Sequence, residues 1–303
     1  MKRRVPWRGV LAAVLAASGA VVGLAGLPGG CAAKLPAPQR PCAPEAIPPS
    51  LTRTKDACLL NIPDRTHEPG HPKEGWCGEV AIQEALLYAG AYVPQKHINR
   101  AGKPAHPDLY ARDIPVALKN LGAGYDWADG RRKLPTLLAW LRKQLRAGIP
   151  VLAGVKIHPT KHPEWSLDHF VLVAGCDKDS FTFNTTWGKR QKRTVKQLAS
   201  RKKGYAFANR HGVYYALRIR GPAKRLAGEV PVRLFVTKET KTHLDVIVKC
   251  ESLTPGAEYV VSRAASFAAK PVDFAAFHAP GRTFGFRERI ARSAPTVFRC
   301  RRE

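Results

Sequence analysis

The chain is short of acid. It has 23 Asp and Glu against 50 Lys and Arg, a formal net charge of +27 at pH 7 over 303 residues. A surplus of that size excludes basic partners and favours anionic ones such as acidic polymers, phospholipid headgroups or lipopolysaccharide. No nucleic-acid-binding motif is present, so specific nucleic-acid recognition is not expected. Metal-ligand spacing is also missing. His158 and His162 lie four residues apart, but each is followed by Pro, which rules out a helical ligand face. No metal and no cofactor are expected. Long apolar runs are scarce too. The one that invites a membrane reading, Val10 to Leu27, is barely long enough to span a bilayer.

That run is a targeting segment. Lys2, Arg3 and Arg4 form a basic n-region ahead of it, and the segment ends Leu27-Pro28-Gly29-Gly30-Cys31-Ala32. This ending resembles a bacterial lipoprotein signal, which implies lipidation of Cys31. Gly30 fits that signal, whereas Pro28 stands where Leu is preferred. Ordinary cleavage near Ala33 and a retained signal anchor stay open. The expectation is an exported chain, either a lipoprotein at the outer or cytoplasmic membrane surface or a secreted or periplasmic protein. Removing residues 1–30 takes away Lys2, Arg3, Arg4 and Arg8 and lowers the net charge from +27 to +23. The densest basic run is 189–203, with eight Lys or Arg and no acid. It reads as a solvated face or as an anion-binding surface.

Behind the signal (1–30), residues 31–60 carry Pro36, Pro38, Pro41, Pro44, Pro48 and Pro49 and read as an extended tether. Residues 61–221 read as one domain and 222–303 as a second. Apolar periodicity places helices over 77–89, 108–121 and 134–147, with Gly90, Gly122 and Gly148 as stops. Strands are expected over 150–157, 169–175, 180–184 and 212–220, and a short basic helix over 194–201. Helices first and antiparallel strands later indicate α+β. Beyond Gly221, Val230, Val232, Leu234 and Val236 alternate, as do Leu244, Val246, Val248 and Cys250. This predicts a small β-rich accessory domain. Leu253-Thr-Pro255-Gly256-Ala-Glu-Tyr259 resembles the turn of fibronectin type III domains, with Tyr259 as a tyrosine corner. Too few residues precede it for that whole fold.

The candidate chemistry lies in the first domain. Cys77 stands in Gly75-Trp76-Cys77-Gly78 at a helix start; His169 opens an apolar strand; Asn184 ends the next strand in Asn184-Thr185-Thr186-Trp187-Gly188. A helix macrodipole and an adjacent imidazolium both favour a thiolate, which is the nucleophile. A histidine then returns a proton to the leaving amine, and an amide holds its ring in one tautomer. The Cys, His, Asn order and the Asn-x-x-Trp-Gly ending resemble papain-like cysteine peptidases. The compact scale is closest to the bacteriocin-processing (double-glycine leader peptidase) branch. The resemblance covers about residues 65–220. It implies that Cys77 is the nucleophile, His169 the acid/base and Asn184 the orienter, with a peptide or protein substrate, and we expect a monomer. That branch often has Asp at the position of Asn184. These families also carry a Gln about six residues before the nucleophile to bind the oxyanion. This chain has His71 there and no Gln between Thr52 and Cys77.

Export and parity organise the seven cysteines. With Cys31 lipidated or removed and Cys77 kept free, Cys42–Cys58 and Cys250–Cys300 are the expected bridges, and Cys176 is the inert one left over. Three functions remain in play. The first is an exported cysteine peptidase acting through a thioester acyl-enzyme. The second is a cell-wall peptide amidase or acyltransferase with the same triad. The third is a catalytically inactive, basic surface-binding lipoprotein, which His71 in place of Gln favours.

Overall fold

The computed structural model describes residues 35–303 except 74, 201–203, 208 and 211. Residues 1–30, expected to be a signal, and Cys31 lie outside the described residues.

The strands, in chain order, are β1 (Leu51–Arg53), β2 (Cys58–Leu60), β3 (Ala91–Tyr92), β4 (Ala123–Trp127), β5 (Val151–Lys156), β6 (His169–Cys176), β7 (Ser180–Asn184), β8 (Arg190–Thr194), β9 (Ala206–Phe207), β10 (Asn209–Arg210), β11 (Val213–Tyr214), β12 (Ala216–Pro222), β13 (Glu229–Val230), β14 (Val232–Glu239), β15 (His243–Glu251), β16 (Glu258–Ala264), β17 (Val272–His278), β18 (Thr283–Ala291) and β19 (Thr296–Arg302). The helices are α1 (Cys77–Leu87), α2 (Gln95–Gly102), α3 (Asp113–Asn120), α4 (Leu134–Arg146) and α5 (Val195–Ala199). The chain is α+β.

The first sheet runs β1-β2-β6-β5-β12-β4, with β7 and then β8 beyond β6, and β9 on β5. Its centre is dry. Every residue of β5 and β6 is buried, which is why both read as near-continuous apolar runs rather than alternating ones. α4 packs Leu137, Leu138, Leu141 and Leu145 into this core. α1 is buried from Gly78 to Leu87, including Glu79, Gln83 and Glu84. A helix that is covered all round must satisfy its polar side chains internally. Gln83 does so fully: it donates to the Glu68 carboxylate (2.9 Å) and the Val93 carbonyl (2.8 Å), and accepts from Arg65 and Gln95. The basic run resolves into β8, a charged edge strand that discourages further pairing, and α5, capped by Thr194 and Gln197.

Residues 222–303 form two sheets, β14-β15-β18 and β13-β19-β16-β17, that share one core including Leu234, Val246, Val248, Val261, Phe286 and Phe298. The Tyr259 hydroxyl accepts from the Thr254 amide at 2.9 Å, so the turn motif makes the corner contact it promised. This core is shared with the first domain. Leu87 and Tyr92 insert into it, and β3 pairs with β19.

The segment expected as a tether is docked from residue 35 onward. The Ala276 amide donates to the Pro36 carbonyl (2.9 Å), Cys42 to Gly285 (2.8 Å) and Arg287 to Arg40 (3.1 Å), and β1 and β2 extend the first sheet through β6. Extended Pro-rich backbone suits a sheet edge, where a missing N–H costs nothing.

The described cysteines are free thiols. Cys58 faces Cys176, not Cys42, so the expected Cys42–Cys58 pairing is not the one this fold brings together. Cys42 lies instead on β18, and Cys176 is not the odd thiol. Cys250 and Cys300 are both buried in the second core as free thiols, so the expected Cys250–Cys300 bridge is not formed in this structure either.

Candidate active site

Cys77 is the first residue of α1. Trp76 precedes it as the helix cap, its indole N–H held by the Pro107 carbonyl at 3.0 Å, and no side chain caps the helix. The first-turn amides are therefore free to meet whatever stands at the helix start. The Gly78 amide and the Phe170 amide both point at the thiol. Phe170 follows His169 in the chain, so α1 and β6 bring the thiol to the end of the strand that carries the histidine. Burial pushes the Cys77 thiol up to about 12, and the carboxylates of Glu79 and Asp108 add to the rise.

The His169 ring is buried, and its Nε2 lies 2.9 Å from the Thr185 carbonyl and 3.3 Å from the Thr186 hydroxyl. A carbonyl only accepts, so Nε2 carries the proton and Nδ1 presents a lone pair. Burial lowers the ring to about 4, against the opposing pull of the Thr185 carbonyl and the Asp168 charge. Thiol and imidazole are thus both neutral at pH 7, and no hydrogen bond joins them in this resting arrangement. Trp187 stacks on the ring at 4.4 Å and is itself half exposed, a lid between imidazole and solvent. Asp168 fixes the approach to β6: it accepts from the amides of Ile157 (2.6 Å) and His158 (3.0 Å) and pairs with Lys156 at 3.1 Å.

Asn184 is elsewhere. Its amide donates to the carbonyls of Ile62 (3.3 Å) and Pro63 (3.2 Å), and its oxygen accepts from Arg190 at 3.0 Å. The reason is strand parity. Asn184 is directly opposite Leu172, three residues from His169, and side chains alternate along a strand. Asn184 and His169 therefore leave the sheet on opposite faces. The carbonyl of the next residue, Thr185, holds the ring instead. Thr186 has φ 71, a conformation that only a well-supported turn sustains in a β-branched residue. Both carboxylate oxygens of Asp64 are buried near this turn and make no hydrogen bond. Burial raises Asp64, and burial, then the Asp64 charge, raises its neighbour Glu84 well above the ordinary range.

His71 is exposed, its Nδ1 2.8 Å from the Pro72 carbonyl. His67 comes closer to the site. Its ring packs against Gly75 and stands 4.8 Å from the His71 ring, and its buried Nε2 has no hydrogen-bond partner. Gly75 is required there. Its φ is +85, and a Cβ would lie 2.4 Å from His67 Cε1. Gly78 faces Leu109 and Ile114.

The sequence reading missed His67, Asp168, Thr185 and the Asp64–Glu84 pair. Only Asp168, next to His169, left a local signal. Among the described residues no cluster of His, Cys, Asp and Glu is arranged to hold a metal ion, and no helix is long and apolar enough to cross a membrane. No protein-family model matches the chain, and no curated protein matches it in sequence.

Proposed function

We propose that this protein is an exported papain-like cysteine hydrolase, most simply a peptidase, with Cys77 as nucleophile and His169 as acid and base. One observation carries the reading: a thiol at an uncapped helix start meets the backbone of Phe170, the residue after a buried histidine whose Nε2–H is fixed on a carbonyl, which leaves Nδ1 free as a base. The Thr185 carbonyl takes over the orienting task assigned to Asn184. In acylation, Nδ1 takes the thiol proton as sulfur attacks the substrate carbonyl. The tetrahedral intermediate then collapses to a thioester as the imidazolium protonates the leaving amine. Water, deprotonated by the same ring, releases the acid. The same chemistry serves a cell-wall peptide amidase or acyltransferase. The net charge of +27 suits an anionic wall or membrane surface under any of these activities, and under an inactive binding protein.

A peptide carrying a thiol-reactive warhead is expected to label Cys77 and none of the other cysteines in the folded protein. Labelling with simple iodoacetamide is expected to climb with pH through 8 without an acidic plateau, because a raised thiol releases its proton only at high pH. Silence of Cys77 toward the peptide probe moves the assignment to the inactive surface binder. A plateau beginning near pH 4 to 5 means a preformed ion pair.

The backbone N–H of Cys77 is one oxyanion donor, and a histidine of the 67–71 loop is the other. His67, with its unpartnered Nε2, is placed better than His71. His67→Ala is expected to lower the acylation rate about 100- to 1,000-fold with little change in KM, the usual cost of one oxyanion donor, while His71→Ala costs less than about tenfold. Equal, small effects of both substitutions, measured by single-turnover kinetics, would remove this loop from the mechanism.

A further inference from the structure

We propose that Cys58 and Cys176 are oxidised to a disulfide that ties β2 across β6 and leaves Cys77 as a reactive free thiol. The two residues are direct partners in the antiparallel β2–β6 register. Directly opposed residues in such a pair have Cα atoms about 4.5–5.5 Å apart, inside the roughly 4.4–6.8 Å that a disulfide accepts. Their sulfur atoms lie 3.1 Å apart, and both residues are 4 % exposed. The approach of the strands is built in. At Gly175, a Cβ would come within 2.8 Å of Leu59 Cδ1 and 2.9 Å of the Cys58 carbonyl, so any larger residue would push β2 away and part the thiols.

The local charges suit oxidation. The hydrogen bond from Cys176 lowers the Cys58 thiol to about 7, and Arg146 and Arg53 help, while Cys176 is raised by the same shared proton. During folding, before that hydrogen bond exists, either thiol can open the exchange as its thiolate, here Cys58. It displaces one thiolate from an external disulfide, of low molecular weight or on a protein. Cys176 then loses its proton and attacks the Cys58 sulfur of the mixed disulfide, which expels the second thiolate. Two protein thiols are oxidised and one external disulfide is reduced to two thiols. Burial of both residues places the exchange before β2 closes on β6, during folding. This pairing takes two of the six described cysteines, Cys58 and Cys176, and leaves Cys77 free.

The inference does not depend on hydrolysis. Reduced, denatured protein is refolded in mixed oxidised and reduced glutathione, alkylated and mapped without reductant. The expected result is a Cys58–Cys176 linked peptide with Cys77 alkylated. Cys58 linked to Cys42, Cys77 bridged to either residue, or Cys58 and Cys176 both alkylated would each overturn it. As a second measurement, reductant is expected to lower Tm by about 10 °C in the wild type through this long loop. Most of that drop should be missing in Cys176→Ala and retained in Cys42→Ser. The reverse pattern would count against the pairing.

Discussion

Cys77→Ala is expected to reduce peptide hydrolysis by about 10⁴- to 10⁶-fold, the scale seen when a catalytic nucleophile is removed, with Tm within a few degrees of the wild type. The asymmetry follows from the location of the residue. Cys77 is only partly buried and starts its helix, so trimming its sulfur removes little packing. The apolar seat of α1 is made by Ala81, Ile82, Ala85 and Leu86. A thiol serving the core would behave oppositely, costing stability and sparing activity. The assay uses a mixed peptide library with mass-spectrometric readout, alongside thermal unfolding. Unchanged cleavage by purified Cys77→Ala would reject the nucleophile assignment, whatever the other residues do.

The second large effect concerns Glu79, two residues along α1. It is fully buried, accepts from Asn99 (2.8 Å) and the Leu109 amide (3.0 Å), and leaves its other oxygen without a partner. Burial raises it from the ordinary 4.5 to about 7, in spite of those hydrogen bonds. In the unfolded chain the proton leaves near 4.5, and in the folded chain only near 7. Between those values the unfolded state binds fewer protons than the native one. Stability therefore falls as pH rises through this window and levels off above it. The full effect is about 3 kcal/mol. Glu79→Gln, which cannot ionise, is expected to flatten the urea midpoint between pH 5 and 7 by most of that amount. It should also ease the ionisation of Cys77, because one of the charges opposing the thiolate is gone. An unchanged slope in the variant would mean that Glu79 keeps an ordinary acidity.

Strongly periodic segments were legible from the sequence. α4, β5, β6 and β7 follow their patterns because a buried face dictates the residues. α2 left little trace, since only Gln95, Ile98 and Gly102 of its residues are buried. α3 begins at Asp113, not 108, because the Asp113 carboxylate accepts the Tyr110 amide at 2.9 Å and starts the helix there. At the site, Cys77 and His169 stood out because their chemistry needs those residue types beside those elements. Asn184 was read by type alone, and its face depends on a register that no single strand records. Thr185 acts through its carbonyl, which every residue has, so no side-chain pattern could reveal it. His67 meets Gly75 across a loop that turns through a positive φ, a meeting decided by backbone geometry.

The β3–β19 pairing bears on when this protein can work. A chain leaves the ribosome N-terminus first, and Tyr92 emerges long before the strand it abuts, since even Arg292, whose carbonyl its hydroxyl meets, lies 200 residues later. Until that partner arrives, Leu87 and Tyr92 have nowhere apolar to go, and the helix headed by Cys77 is finished on only one side. Whatever the thiol does, it does late. The order of emergence acts as a clock, leaving the start of this helix in an immature setting until the last strand has been made.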